Sequence, residues 1–404
     1  MAPTNVDELL GTGLLTNEDK RVRSRFTAEP YDRLLLLSDH REGPEPPRDV
    51  VLGVNPSAVA TARLTPRRHV HSFLDLGTGC GIQALLAARH SDRVVGIDIN
   101  ARALELSKAN SLLNHTTNVS WRHGNWLEPV AGQRFDLIVA NPPYVFSPDS
   151  TYLYRDSNLP PESLARELIS RIPQHLEEGG IAQVMLNWRH ESGSECSDSL
   201  FAALTESGCD ALIVRLAVDD SVDYSAWWNS PLLMYGREVY EAAVERWVAY
   251  HRRHNIEAIA WGAVLLRRRP TGQTWLRTLA VDSGPSGPAG DHVLRLFAAH
   301  DRLSELSDDS ELLDAVFELV PNHLISQTLT YREGRYRSHP ARVRVAPGLE
   351  VGAAIDPDTL PTFFRCDGRR TLRELMDAEG DASAISYAAR ELLTAGLLIS
   401  ASPP

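Results

Sequence analysis

A glycine-rich turn held between an apolar strand and a helix constrains this chain more than any other feature. Residues 71–76 read as a short buried strand, Asp75-Leu76-Gly77-Thr78-Gly79-Cys80-Gly81 follows, and a helical pattern covers 82–89. Glycines there let the backbone turn tightly and let a ligand approach without a Cβ in the way. Alone, such a turn is also met as mere tight packing. The surrounding pattern adds the context that ligand binding needs. Strands at 93–97, 119–122, 135–140, 181–186, 211–216 and 259–267 alternate with helices at 101–113 and 161–176. Repeated strand–helix units predict an α/β fold, a doubly wound parallel sheet with helices on both faces.

The glycines are spaced G-x-G-x-G, not the G-x-G-x-x-G of a dinucleotide fold, and Asp75 stands two positions before the first of them. A carboxylate there repels a pyrophosphate and suits a ligand carrying an ammonium and a sulfonium. Asp98 ends the next strand, followed by Ile99. A carboxylate at that tip can accept both ribose hydroxyls of a nucleoside; capping of the following helix by Asp98 or Asn100 is the alternative. Gly124-Asn125-Trp126 follows the third strand. Asn125 is a candidate partner for an adenine amine and Trp126 for the ring face, with a plain Gly-Asn turn as the other reading.

Asn141-Pro142-Pro143-Tyr144 ends the fourth strand. An amide or nucleobase nitrogen is planar because its lone pair is conjugated. An Asn oxygen and a backbone carbonyl can accept its two N–H groups and aim the lone pair in line at a methyl donor. Two prolines fix the backbone and leave the Pro142 carbonyl free. Tyr144 can stack on a planar group. Acceptors also stabilise positive charge growing on nitrogen, so no strong base is required.

Together these motifs resemble the class I S-adenosylmethionine-dependent methyltransferases with an Asn-Pro-Pro-Tyr motif. That group includes release-factor glutamine, ribosomal RNA guanine, and DNA or RNA adenine methyltransferases. The resemblance covers about residues 49–267, and the layout is similar to actinobacterial-type methyltransferases with extra terminal domains. It implies a Rossmann-like fold and an enzyme transferring a methyl group from S-adenosyl-L-methionine to a nitrogen. It implies catalytic roles for Asn141, Pro142 and Tyr144. It implies cofactor binding by Asp75, Gly77, Thr78, Gly79, Gly81, Asp98, Ile99, Asn125, Trp126 and Asn141. Asn125 stands where relatives often have Asp. A ribosomal RNA methyltransferase and a non-catalytic cofactor-binding module remain the alternatives, and the glycine spacing disfavours a nicotinamide dehydrogenase.

Composition bounds the partners. Net charge is -12, which opposes bulk nucleic-acid binding, so a protein or small-molecule acceptor is expected ahead of RNA. The four cysteines, Cys80, Cys196, Cys209 and Cys366, show no metal-ligand spacing and fit a reducing cytosol. Cys80 reads as a packing residue, with no basic neighbour to lower its pKa. No signal peptide or membrane span is read. Three parts are expected: a helical N-terminal segment (1–48), the methyltransferase domain (49–281) with a helical insertion near 220–255, and a mixed α+β domain (290–404). The expected elements include a strand at 49–54, a turn at 270–272, a linker at 283–290, helices at 293–303, 311–319, 371–378 and 384–395, and a hairpin at 326–345. The last domain is read either as a winged-helix or peptide-recognition module or as a solvated helical cap. Arg332, Arg335, Arg337, Arg342 and Arg344 make its hairpin basic. The segments Tyr154-Arg155-Asp156 and Asn187-Trp188-Arg189-His190 fall near the substrate mouth or serve as ion pairs and caps.

Overall fold

The computed structural model describes residues 5–18, 21–40, 47–156, 159–191, 196–269, 273–281, 284–376 and 380–401. The chain forms two compact units, residues 1–62 with 69–282 and residues 63–68 with 283–404.

The first unit opens with α1 (Val6–Gly11) and two hairpins, β1 (Leu15–Glu18) with β2 (Arg21–Ser24) and β3 (Phe26–Tyr31) with β4 (Leu34–Asp39). This corrects the helical N-terminal segment. The run Leu34-Leu35-Leu36-Leu37 has no resolvable period on its own; in the structure Leu34 and Leu36 point inward while Leu35 stays exposed. Its hairpin turns on Asp32-Arg33, both at positive φ (+44° and +63°). That is the geometry of a two-residue hairpin loop, reached without the usual Asn-Gly signal. Residues 49–54, expected as a strand, pair with no sheet; Val50 and Val51 are nevertheless buried. Then come α2 (Pro56–Leu64), β5 (Val70–Leu76), α3 (Ile82–Ala87), β6 (Ser91–Asp98), α4 (Ala101–Leu113), β7 (Val119–His123), β8 (Phe135–Ala140) and α5 (Ser163–Arg171). They are followed by β9 (Leu176–His190), α6 (Asp198–Glu206), β10 (Cys209–Asp220), α7 (Ser221–Asn229), α8 (Arg237–Arg253), β11 (Ala258–Arg268) and β12 (Leu276–Ala280). The insertion is helical as expected, carried by α7 and α8. The turn expected at 270–272 and Ser283 of the expected linker lie outside the described residues.

Eight strands make one sheet in the order β12-β10-β11-β9-β8-β5-β6-β7. It is mixed, not all parallel, because β11 runs antiparallel between β9 and β10. The inner strands are mostly apolar with almost every side chain buried, as a sheet covered on both faces demands. Leu74, Val95, Ile138, Ala182 and Val264 belong to its main core. The chain runs outward from β5 through β6 to β7, then returns to lay β8 on the other side of β5. The strand order therefore reverses between β5 and β8, and a ligand crevice forms at such a point. Leu76 at the end of β5 is in register with Ala140 at the end of β8. Each strand's exit loop, Gly77–Gly81 from one and Asn141–Tyr144 from the other, is thus delivered to one place.

The second unit holds α9 (Gly290–Glu305), α10 (Asp309–Leu313), β13 (Val316–Leu319), β14 (His323–Ser326), β15 (Leu329–Arg332), β16 (Arg335–Ser338), β17 (Ala341–Val345) and β18 (Gly352–Ile355). It ends with α11 (Leu360–Phe364), β19 (Asp367–Thr371), α12 (Leu372–Leu375), α13 (Ala382–Thr394) and β20 (Leu398–Ser400). The helix expected over 311–319 breaks after one turn, and its second half is β13, paired with β19 and β20. The expected hairpin is present, with β14–β17 at its base and β15–β16 at its tip. The expected helix at 371–378 is the short α12, started by a reciprocal capping box between Thr371 and Glu374. Leu312, Phe317, Val343, Phe363, Leu372 and Leu392 share this unit's core.

Candidate active site

Gly77, Gly79 and Gly81 sit at φ +72°, +56° and +87°, a region L-residues enter only with strain. The backbone N–H groups of Gly77 and Thr78 both donate to the Ile97 carbonyl at 2.9 Å. From the other side α4 holds the loop: Ser107 donates to the Gly79 carbonyl (2.8 Å) and Asn110 to the Cys80 carbonyl (2.9 Å). A Cβ built on Gly79 would meet nothing within 4 Å, while one on Gly81 would come within 3.0 Å of the Trp121 ring. The loop is therefore packed on its α4 side and open at Gly79.

Asp75 sits inside this arrangement, 1% exposed. One carboxylate oxygen accepts the Thr78 hydroxyl (2.5 Å) and the Ala84 N–H (3.1 Å). Burial pushes its pKa up to about 7, although both hydrogen bonds pull it down. Asp75 and Thr78 thus brace the loop from within, where the sequence expected Asp75 to face a ligand ammonium. Cys80 is buried too, and burial pushes its thiol up to about 12, consistent with a packing role.

Asp98 stands at the tip of β6. Its two oxygens accept the Gly79 N–H (2.8 Å) and the Asn100 N–H (2.9 Å). Each carboxylate oxygen has lone pairs for a second bond, so room for two ribose hydroxyls remains. The helix cap goes to Asn100, whose side chain accepts from the Arg102 N–H. Ile99 beside Asp98 is 56% exposed and offers an apolar surface. Asn125 is exposed at the end of β7, and the Gly124 N–H bonds the Asp98 carbonyl. Trp126 is half-buried and packs on the main core instead of standing free. Open space at Gly79, a strand-tip carboxylate and an exposed apolar residue fit the nucleoside and amino-acid halves of S-adenosylmethionine.

Asn141 is oriented by residues far away in sequence. Trp261 Nε1–H donates to Tyr144 Oη (3.0 Å), Tyr144 to Ser57 Oγ (2.8 Å), and Ser57 to Asn141 Oδ1 (2.7 Å). All three bonds run in one direction and end on the Asn141 oxygen. Burial pushes the Tyr144 phenol up to about 12, so it stays a donor throughout the physiological range. The Pro142 carbonyl has no donor among the described residues.

A small cleft opens beside the motif, lined by Pro143, Tyr144, Phe146, Leu164, Leu186 and Asn187 among others. Asn187 is 2% exposed. Its amide nitrogen donates to Tyr224 Oη (2.6 Å), and its oxygen has no partner among the described residues. Of the two segments expected near the mouth, Arg155 and Asp156 instead form a buried ion pair with each other (2.7 Å), joined by Asp149. Arg189 pairs with Glu162, which lines the cleft. Sequence reading missed Ser57, Trp261 and Tyr224. The start of a helix just upstream of the glycine loop was the one local signal available for Ser57.

Comparison with known proteins gives the family. Residues 57–205 match the family model described as methyltransferase small domain. Over 108 residues the chain is 41% identical to the release factor glutamine methyltransferase of Aliivibrio fischeri, covering 26% of this chain and 37% of that protein. It is 32% identical over 197 residues to the release factor glutamine methyltransferase of Yersinia pestis, covering 41% and 71%. It is 33% identical over 126 residues to the ribosomal protein uL3 glutamine methyltransferase of Xanthomonas campestris, covering 28% and 41%. The chain thus spans under half the length of the first and third of these relatives. Among the described residues no helix is long and apolar enough to cross a membrane. A glycine loop and an Asn-Pro-Pro-Tyr exit side by side at the strand-order reversal, with the match at 71% of a relative's length, place this chain in the class I S-adenosylmethionine-dependent methyltransferase family that includes the release factor glutamine methyltransferases.

Proposed function

We propose that this protein methylates the side-chain amide nitrogen of a glutamine in a protein substrate. The observation that carries the reading is the hydrogen-bond chain ending on Asn141 Oδ1. The Ser57 hydroxyl occupies one lone pair of that oxygen at 2.7 Å and fixes the plane of the side chain. The other lone pair is left for one N–H of a substrate carboxamide. The Pro142 carbonyl is the acceptor for the second N–H.

S-adenosylmethionine, bound at the glycine loop and Asp98, supplies an electrophilic methyl group. With both N–H groups held, the amide plane is fixed and one face of the nitrogen is presented in line to the methyl group. Positive charge that grows on the nitrogen during methyl transfer would be stabilised by the Asn141 and Pro142 oxygens. One N–H proton then leaves for solvent. Tyr144 is kept protonated by burial and acts through Ser57 as a positioning residue, not as a base. Asn187, buried with a free oxygen in the cleft wall, supports a polar planar substrate group there. The relatives named for glutamine methylation support the same substrate class.

The test uses methyl-labelled cofactor with a release-factor domain, total RNA and a small-molecule extract as separate acceptors. Label on a glutamine of the protein is expected, lost in Asn141→Ala while cofactor affinity stays near wild type. Label in the RNA fraction alone would replace this reading by nucleobase methylation. An Asn141→Ala variant that turns over at the wild-type rate would refute the assigned role of the motif.

A further inference from the structure

Among the described residues the outer edge of β4 pairs with no strand. Pro30, which has no N–H, stands opposite Leu35, so the N–H and carbonyl of Leu35, and of Leu37 two residues on, point away from β3. Such an edge is a liability when left open, and two asparagines of α4 close it. Asn110 Oδ1 accepts the Leu37 N–H (2.8 Å), and the Asn110 amide nitrogen donates to the Leu37 carbonyl (3.0 Å). Asn114, the C-cap of α4, repeats this pair of bonds on Leu35 at 2.9 and 2.8 Å. Each side-chain amide does what the peptide of a neighbouring strand would do. The spacing permits it, because four helical residues rise about 6 Å and two strand residues about 6.6 Å.

The two asparagines differ in one respect. Asn110 is fully buried, and its amide nitrogen also donates to the Cys80 carbonyl in the glycine loop (2.9 Å). The Asn114 amide nitrogen instead donates to the Asn110 carbonyl, inside α4 (2.8 Å). One planar group therefore ties the hairpin to the loop, with its oxygen and both N–H groups engaged. Packing joins the same parts: Leu34 and Leu36 of β4 share a core cluster with Cys80 and Ile82. At the far end of β4, Arg102 Nε donates to Asp39 (2.8 Å), whose carboxylate also accepts the Val51 N–H (2.9 Å).

We propose that Asn110 is a positioning residue for S-adenosylmethionine, and that the β3–β4 hairpin is through it a part of the cofactor site. A loop with glycines at three alternate positions has many backbone arrangements open to it. The holds on the Gly79 and Cys80 carbonyls select the one in which the Gly79 N–H meets Asp98. Without the hold on Cys80 only a fraction of molecules has the loop formed, and cofactor affinity falls by that fraction. Coupling is reciprocal, so bound cofactor in turn steadies Asn110 and, beyond it, the Leu37 N–H. Leu35, tied by Asn114, lies off this path and serves as the reference.

The test is calorimetry of S-adenosylmethionine binding, with a thermal melt, on the wild-type chain, Asn110→Ala and Asn114→Ala. Each variant loses the two bonds to β4, so both should melt at a lower temperature. Asn110→Ala should raise the Kd about tenfold, while Asn114→Ala should leave it within about twofold. Amide hydrogen exchange read by NMR on the wild-type chain gives a second measurement that needs no variant. Saturating cofactor should slow exchange at Leu37 several-fold more than at Leu35. An unchanged Kd in Asn110→Ala, equal Kd changes in the two variants, or exchange at Leu37 slowed no more than at Leu35 overturns the proposal. If Asn110→Ala does not fold, the exchange comparison decides alone. The wild-type titration is the separate control, since a chain that binds no S-adenosylmethionine overturns the cofactor site itself.

Discussion

Replacing Ser57 with alanine removes one oxygen from the middle of the chain that orients Asn141. That oxygen accepts from Tyr144 at 2.8 Å and donates to Asn141 Oδ1 at 2.7 Å. Each bond is worth about 1 kcal/mol net, and leaving the Tyr144 hydroxyl without an acceptor costs about 1–3 kcal/mol more. A stability loss of about 3–5 kcal/mol is expected. The effect on chemistry is separate. The terminal torsion of an Asn side chain is soft, so an unheld Asn141 spends most of its time misaligned. A fall in kcat of about 10–100-fold follows, about 1.4–2.7 kcal/mol of barrier. The assay is steady-state methyl transfer at saturating cofactor, with calorimetry of cofactor binding and a thermal melt on the same samples. Ser57→Thr keeps the hydroxyl and should stay within a few-fold of wild type. A Ser57→Ala enzyme with wild-type kcat and a lowered melting temperature would refute the positioning role and leave Ser57 a structural residue of α2.

Asp98→Ala should weaken S-adenosylmethionine binding by roughly 10–100-fold or more, since charge-assisted bonds are worth about 1.5–3 kcal/mol each; calorimetry reads this. Because Asp98 also accepts the Gly79 and Asn100 N–H groups, that variant should lose stability as well. Asn100→Ala, which removes the cap and a bond to the Asp49 carbonyl, should cost about 1–2 kcal/mol of stability at unchanged affinity; equal affinity loss in both variants would contradict the ribose assignment. For Asp75 the folded pKa of about 7 lies above the unfolded carboxyl value. Its contribution to stability is full below about pH 4 and is lost as pH rises to about 7. Asp75→Asn should therefore gain on wild type across that window, read as the difference in melting temperature at pH 4.5 and 7.5. A difference that does not change with pH would mean that the buried carboxyl is ionised throughout.

What the chain determined by itself is local and periodic. Largely apolar strands at β5, β6 and β8, glycines at alternate positions after β5, and Asn-Pro-Pro-Tyr after β8 were all legible, because burial and backbone chemistry act on neighbouring residues. The hairpin at β14–β17 was legible for the same reason. The tertiary structure alone decided what each side chain meets. Asp75, read from sequence as a ligand partner, also braces the loop from within through Thr78 and Ala84. A four-leucine run became a strand because a neighbouring hairpin partner, joined by an unsignalled turn at Asp32-Arg33, set its period. The antiparallel β11 had no local mark, since apolar strands read alike in either direction. Ser57 and Trp261 entered the site from opposite sides of the motif in sequence, 84 and 117 residues from the partners they touch. No local pattern encodes such meetings; they exist once the strand order reverses between β5 and β8 and the helix and strand carrying these residues converge on one crevice.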